Sequence, residues 1–232
     1  MNTFSKSKTH FFLPKIVKFY LILPLLFFLL CGSACQKQID YFSYVSELRN
    51  NLLFAETDDF LLKIHGVSKE TPYAADGIPK EITTRTEIRL IAPAGNETCH
   101  ITFTVDGEEY GGEMSFDNVK TEYFLSCTLD ISACENIPCK ITYGEKSIDL
   151  TAQSVVKADT LSPRTVLTLI QTENAELFES MTDKYGFTGE IYIRLIYEDA
   201  PYYYVGIIDR NGGINAFLVN ATSGKILAKR QT

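Results

Sequence analysis

Tryptophan is absent from these 232 residues, and histidine and methionine occur three times each. Without tryptophan, a stacking platform for sugars loses its usual aromatic member. Gly-x-Ser-x-Gly, His-Glu-x-x-His and a glycine-rich phosphate loop are all missing. That removes the sequence signatures of α/β-hydrolases, zinc peptidases and P-loop enzymes. No apolar stretch reaches the roughly 20 residues a membrane-spanning helix requires; the strongest, Leu21 to Leu30 (LILPLLFFLL), is ten residues long and contains Pro24. Acidic side chains are absent from the first 35 positions, which carry Lys6, Lys8, Lys15 and Lys18. Beyond position 35, 18 basic side chains face 29 acidic ones, a net charge of −11. A body so acidic repels phosphate backbones, so nucleic-acid binding is not expected.

What is present at the amino terminus is a basic stretch, a short apolar core and small residues, the pattern of a secretory signal. Two cysteines follow the core. Cys31 is preceded by Leu29 and Leu30, too bulky for a peptidase pocket, whereas Cys35 is preceded by Gly32, Ser33 and Ala34. Gly32-Ser33-Ala34-Cys35 resembles the lipobox of bacterial lipoproteins. The resemblance covers the first 35 residues and implies that the Cys35 thiol receives a diacylglycerol and that the chain is then cut before it. Two acyl chains are enough for stable anchoring, where one gives only marginal membrane residence. The expectation is a signal peptide over 1–35 and a membrane-anchored, extracytoplasmic body beginning at Gln36. An uncleaved signal anchor is the other reading of the same residues.

The body reads as two parts. Residues 36 to 56 carry both a helical stripe (Tyr41, Tyr44, Val45, Leu48, Leu52) and strand parity (Leu48, Leu52, Phe54), and a strand hairpin is expected there. From Phe60 to about Ser154 the period is two. Phe60, Leu62 and Ile64 alternate with Leu61, Lys63 and His65; Thr86, Ile88 and Leu90 with Glu87 and Arg89; Ile101, Phe103 and Val105 with polar residues. Tyr123, Leu125, Leu129 and Ile131 share one face, as do Ile148, Leu150 and Ala152. Turn signals at Asp76-Gly77, Pro93-Ala94-Gly95, Asp106-Gly107 and Tyr143-Gly144 separate the runs. The pattern predicts an antiparallel β-sandwich of immunoglobulin-like type over 36–157.

At Ser162-Pro163 the period changes. Serine as N-cap and proline at the first helical position start a helix. Val166, Leu167, Ile170, Leu177, Phe178 and Met181 continue it at 3.6-residue spacing, with Asn174 the one polar member and Gly186 a stop. One helix of about 22 residues is expected, or about 33 Å at 1.5 Å per residue. Four strand-like runs follow (190–198, 202–209, 214–220 and 224–229), with Asn211-Gly212-Gly213 and Ser223-Gly224 as hairpin turns. Residues 158–232 are thus an α+β part, one helix packed on an antiparallel β-meander, and the chain as a whole is mainly β. Within it, Val205-Gly206-Ile207-Ile208-Asp209, Ala216-Phe217-Leu218-Val219 and Thr222-Ser223-Gly224-Lys225-Ile226-Leu227 resemble PepSY-type helix-on-sheet modules. That resemblance implies no catalytic position. It implies binding or modulation of other envelope proteins, proteases among them.

Candidate chemistry is sparse. Cys99, Cys127, Cys134 and Cys139 remain besides Cys35, and four cysteines allow three pairings. Cys99 and Cys127 share core-facing parity and are candidates for an inter-sheet disulfide; Cys134 and Cys139 can close a small loop. Buried or free thiols are the competing reading. A metal site finds no matching ligand spacing, and His65 and His100, the available imidazoles, fall on outward faces. Ser154-Val-Val-Lys157 has the form Ser-x-x-Lys, but a strand end places the two side chains on opposite faces. Asp209-Arg-Asn211-Gly-Gly213 resembles a calcium loop that lacks its twelfth-position glutamate, where Asn220 stands, and reads as a tight turn. No catalytic residue, cofactor or metal is expected. One feature marks a binding surface: in Tyr202-Tyr203-Tyr204 a strand puts Tyr202 and Tyr204 on one face, with Tyr192 and Tyr197 near in the neighbouring strand. Exposed tyrosines make rigid, amphipathic contacts, while core packing is their other use. The expected function is a non-enzymatic envelope lipoprotein that binds or modulates a protein partner. The alternative is a small-ligand sensor with a groove between helix and sheet.

Overall fold

The strands pair into a branched sheet organised around one long strand. A computed structural model describes residues 39–72, 76, 78–93 and 97–232; the expected signal peptide, the lipobox cysteine Cys35 and parts of the turns at Asp76-Gly77 and Pro93-Ala94-Gly95 lie outside them. A 3-10 turn at Tyr41–Tyr44, with the Asp40 carboxylate accepting from Phe42 N–H, leads into β1 (Val45–Glu56). The expected hairpin within 36–56 is therefore one twelve-residue strand, whose hairpin partner is β2 (Leu61–Glu70). β3 (Ile82–Ile91), β4 (Cys99–Val105), β5 (Glu108–Glu113), β6 (Ser115–Asp117), β7 (Glu122–Cys127), β8 (Asn136–Tyr143) and β9 (Lys146–Ser154) complete the first part.

Two β layers enclose its core, β1-β2-β3-β7-β6 on one side and β5-β4-β8-β9 on the other. Leu62, Ile64, Ile88, Leu90 and Tyr123 from the first meet Ile101, Phe103, Ile137, Ile141 and Ala152 from the second. All but Ile137 and Ile141 are residues that the period-two pattern above places on one face of a run. The layers are joined, because β1 also pairs with β9 at Leu53 and Phe54.

The second part begins as expected. Ser162 Oγ accepts from Thr165 N–H, Pro163 follows, and α1 runs Pro163–Glu173. It ends eleven residues on, not 22. Asn174 leaves helical geometry (φ −135°, ψ 42°), its amide donates to the Ile170 carbonyl and its Oδ1 accepts from Lys229. A side chain bonding a backbone carbonyl four residues back competes with continuation of the helix. A short α2 (Ala175–Ser180) and a small hairpin of β10 (Thr182–Asp183) and β11 (Gly186–Phe187) follow. The meander is β12 (Glu190–Tyr197), β13 (Pro201–Ile208), β14 (Ile214–Asn220) and β15 (Ile226–Gln231). Val166, Leu167, Ile170 and Phe178 pack on Ile191, Ile193, Leu195, Val205, Ile207 and Phe217. The class is a β-rich α+β fold.

The two cores share a strand, and the helix-side core also takes in Leu48, Leu52 and Phe54 from β1. Leu52 lies in the helix-side core and its neighbour Leu53 in the other, because successive strand residues point to opposite faces. β1 also pairs in parallel with β12, Val45 opposite Ile191 and Arg49 opposite Arg194, while the remaining ladders are antiparallel. Residues Ile39–Thr232 accordingly form one compact unit.

Candidate functional site

The parallel β1–β12 pair lines up side chains that are far apart in sequence. On one face, Glu47 and Arg49 of β1 stand beside Tyr192 and Arg194 of β12. Arg194 grips Glu47 with two hydrogen bonds, Nε to Oε1 at 2.8 Å and an Nη to Oε2 at 3.1 Å. Arg49 Nε donates to the same carboxylate at 2.8 Å and its Nη1 to Glu87 of β3 at 2.9 Å. Lys69 of β2 approaches Glu47 at 3.5 Å. Glu87 further accepts from Arg85 Nε and Nη2, and Arg89 extends the chain to Glu122 of β7. The guanidinium of Arg89 also lies over the Phe124 ring, 5.1 Å from its centroid. At the other end Arg194 lies over Tyr192 at 4.4 Å, and Tyr192 contacts Tyr204 at 5.8 Å between centroids.

The result is a ladder of alternating arginines and glutamates with tyrosines at one margin. It crosses β13, β12, β1, β2, β3 and β7, about 24 Å at roughly 4.8 Å per strand. The carboxylates lie lowest, Glu47 and Glu87 with side chains 4% and 5% exposed, and the long cationic side chains lie across them. Burial opposes ionisation of Glu47, but the hydrogen bonds from Arg194 and Arg49 outweigh it and hold its pKa at about 2. Burial likewise works against ionised Glu87, and Arg49 and Arg85 bring its pKa below the usual range. His65 is packed under the same ladder. Burial, followed by Arg49 and Arg89, lowers its pKa to about 4, and its Nδ1 is buried without a hydrogen-bond partner. It is neutral at physiological pH, so this face carries fixed charges only.

The tyrosines divide between two roles. Tyr202 and Tyr204 share this face, both half-buried, with the Tyr202 hydroxyl donating to Asp199 at 2.7 Å. Tyr192 joins them but is only 7% exposed. Its ring lies across Gly206, its register partner, where a Cβ would come within 2.0 Å of the ring. Tyr197 is on the opposite face against Phe54, and Tyr203 is in the core with its hydroxyl on the Leu161 carbonyl. The expected tyrosine surface is therefore Tyr202 and Tyr204, with Tyr192 as the buried floor between them and Arg194.

No family model matches the chain, and no curated protein or solved structure matches it either. What the face can do thus follows from its own chemistry. It offers planar N–H donors and aromatic edges.

The other candidates fall into structural roles. Cys99, Cys127, Cys134 and Cys139 are free thiols in this structure, the reading that competes with the two bridges. Register explains why Cys99 and Cys127 do not meet. Tyr143 pairs with Cys99, and the residue of β7 that reaches Tyr143 is Tyr123, at 5.8 Å between rings. Cys127 is four residues further along β7, about 13 Å away at 3.3 Å per residue. Cys139 points inward and donates to the Ile137 carbonyl. Burial raises the pKa of Cys99 to about 11 and of Cys139 to about 12, and it also raises those of Cys127 and Cys134. Among the described residues, no three His, Cys, Asp or Glu side chains are grouped to hold a metal. His100 is exposed, whereas His65 is half-buried beside the ladder with its Nδ1 atom covered.

Ser154 donates to Asn51 Oδ1 at 2.7 Å, while Lys157 Nζ donates to the Ser154 carbonyl at 2.9 Å, so lysine and hydroxyl do not form a catalytic pair. Asn51 also donates to the carbonyls of Ile131 and Cys134, pinning that loop. Asp209 Oδ1 accepts from the N–H groups of Asn211 and Gly213, which makes the 209–213 segment a closed turn. A cavity of about 440 Å³ lies where the two cores join, lined by Phe54, Val155, Lys157, Tyr197, Asp199 and Pro201, and not between helix and sheet.

The ladder was visible in the sequence only in fragments. Arg85-Thr-Glu87-Ile-Arg89 has alternating charges at one strand parity, opposite the core-facing Thr86, Ile88 and Leu90. Glu47 and Arg49 are a second fragment. Nothing local says that Arg194, 145 positions beyond Arg49, completes them.

Proposed function

We propose that this chain is an extracytoplasmic lipoprotein, anchored at the cell membrane through Cys35, that binds or modulates another envelope protein and performs no reaction itself. The observation that carries the binding reading is the continuous arginine–tyrosine face from Tyr204 through Arg194 and Arg49 to Arg89. Arginine and tyrosine are the side chains most enriched where a few residues supply most of a protein interface's energy. Here they are held by buried carboxylates, so little side-chain freedom remains to be lost on binding. The anchoring reading rests on Gly32-Ser33-Ala34-Cys35 following a ten-residue apolar core. No described helix is long and apolar enough to cross a membrane.

Two experiments test the proposal. Metabolic labelling with a fatty acid should be abolished in Cys35→Ala and retained in Cys31→Ala; the reverse pattern refutes the anchor. A photo-crosslinking residue at Tyr202, in the full-length protein in the intact envelope, should give one discrete adduct, and the same residue at Tyr197 should give none. Equal or absent adducts at the two positions refute binding through this face.

A second reading, a small-ligand sensor, is favoured by the cavity of about 440 Å³ between the cores, a size within the range of small-molecule pockets. It requires a metabolite that raises the melting temperature and whose effect is lost in Phe54→Ala.

A further inference from the structure

The partner's chemistry can be read from the charge of the same face. We infer that this face docks a carboxylate-rich, extended polypeptide segment of the partner, an inference that rests on the binding role just proposed and specifies what is bound.

Charge complementarity carries it. Residues 39–232 hold 17 basic and 29 acidic side chains, so the surface in general repels an acidic ligand. This face reverses the balance. Arg49, Lys63, Lys69, Arg85, Arg89 and Arg194 stand among five carboxylates, Glu47, Glu87, Glu122, Glu190 and, at the β6 end beside Arg89, the more exposed Asp117. The placement by height matters more than the count. Glu47 and Glu87 are 4% and 5% exposed, whereas Arg85 is 41%, Arg194 37%, Lys69 28% and Arg89 22% exposed. An approaching molecule therefore meets cations first.

The kind of cation narrows the ligand further. Four of the chain's seven arginines stand here. A guanidinium presents five N–H donors in a rigid fork that fits a carboxylate with two parallel bonds. Arg49, Arg85 and Arg89 together make five hydrogen bonds to Glu47, Glu87 and Glu122, fewer than the five N–H donors that each guanidinium carries would allow. The row is about 24 Å long, the reach of about seven residues of extended chain. Half-buried Tyr204 and the Phe124 ring flank its two ends and supply apolar edges beside the charges. A flat lipid surface fits less well. Most of the cations are already engaged by carboxylates set in one row across the strands, a linear arrangement that matches a narrow chain better than a plane.

The test uses the chain from Gln36, which contains both cores. The probes are a fluorescent twelve-residue peptide of alternating Glu and Thr, its Lys–Thr counterpart, and vesicles containing one-quarter phosphatidylglycerol. The glutamate peptide should bind and the lysine peptide should not. Arg85→Glu should weaken binding about tenfold and raising salt to about 0.5 M should weaken it further, as for a charge at an interface. Arg85 is the most exposed member, and Glu87 keeps Arg49 and Arg89 when it is lost. Circular dichroism and a melt confirm folding, and Arg85→Gln, with a smaller loss in the same direction, replaces the first variant if it does not fold. Equal binding of both peptides, no binding of either, or a folded Arg85→Glu variant that binds unchanged overturns the inference. Binding to vesicles but not to the glutamate peptide also overturns it, in favour of a lipid surface. A discrete adduct from Tyr202 that persists in Arg85→Glu sinks only the acidic-segment inference, whereas loss of the adduct from wild type sinks the binding role as well.

Discussion

Replacing Glu47 by glutamine keeps the shape of the side chain and removes the charge on which three cations converge. Arg194 contributes two hydrogen bonds, Arg49 one, and Lys69 stands at 3.5 Å. Two routes give the magnitude. The carboxyl's pKa falls from 4.5 to about 2, and at 1.36 kcal/mol per unit that is about 3 kcal/mol of stability at neutral pH. Independently, breaking a buried, hydrogen-bonded charge pair by removing one member costs about 3–5 kcal/mol. Glutamine retains one acceptor, so about 2–3 kcal/mol is expected for Glu47→Gln. The sign of the pH dependence sharpens the experiment. The native pKa is depressed, so this stabilisation is complete above about 4.5 and disappears as pH falls toward 2. Urea unfolding of wild type and Glu47→Gln should then differ by about 2–3 kcal/mol at pH 7 and should converge as pH falls through that window. A difference below about 0.5 kcal/mol at pH 7, or one that stays constant from pH 7 to pH 3, would refute the claim that the ladder is held by an ionised Glu47.

Three further outcomes follow from other parts of the structure. His65 titrates near 4 when folded and near 6.5 when unfolded, so wild type should lose up to about 3 kcal/mol between pH 6.5 and 4; His65→Gln should flatten that limb of the stability–pH curve, and an unchanged limb counts against a buried neutral imidazole. Asn51→Ala strands the Ser154 hydroxyl and the carbonyls of Ile131 and Cys134, which should lower stability by about 2–4 kcal/mol in a denaturant titration; a change under 1 kcal/mol would mean the loop is held otherwise. Cys99 and Cys139 should resist a thiol reagent in the native protein and react after unfolding, with a melting temperature indifferent to reductant; a reductant-dependent drop would reveal a disulfide.

The readable parts of the fold were those whose signal is local. The alternation in Phe60–Ile64 and Ile101–Val105, the Ser162-Pro163 start and the hairpin turns of the meander each concern neighbours, and each element lies where its pattern put it. The helix is shorter than its stripe because Asn174 keeps the 3.6-residue spacing while its side chain bonds the Ile170 carbonyl, and a stripe cannot register that competition. The cysteines show the same gap between local pattern and space. Parity places Cys99 and Cys127 on inward faces, but the distance between them depends on the register of facing layers, which no single strand encodes. Tyr202 and Tyr204 share a face with Tyr192, whose ring lies on Gly206, while Tyr197 is on the opposite face against Phe54.

By itself, then, the sequence determined a β-rich chain with one late helical segment, an acidic body, and a lipobox-like cysteine after a short apolar core, because composition and nearest-neighbour periodicity are properties of contiguous residues. Only the tertiary structure decided that β1 serves both cores and that its parallel pairing with β12 brings Glu47 between Arg49 and Arg194. That juxtaposition depends on which strands become neighbours. It is set by the burial of Leu52 and Leu53 on opposite faces of one strand, a requirement met only when both cores close on it.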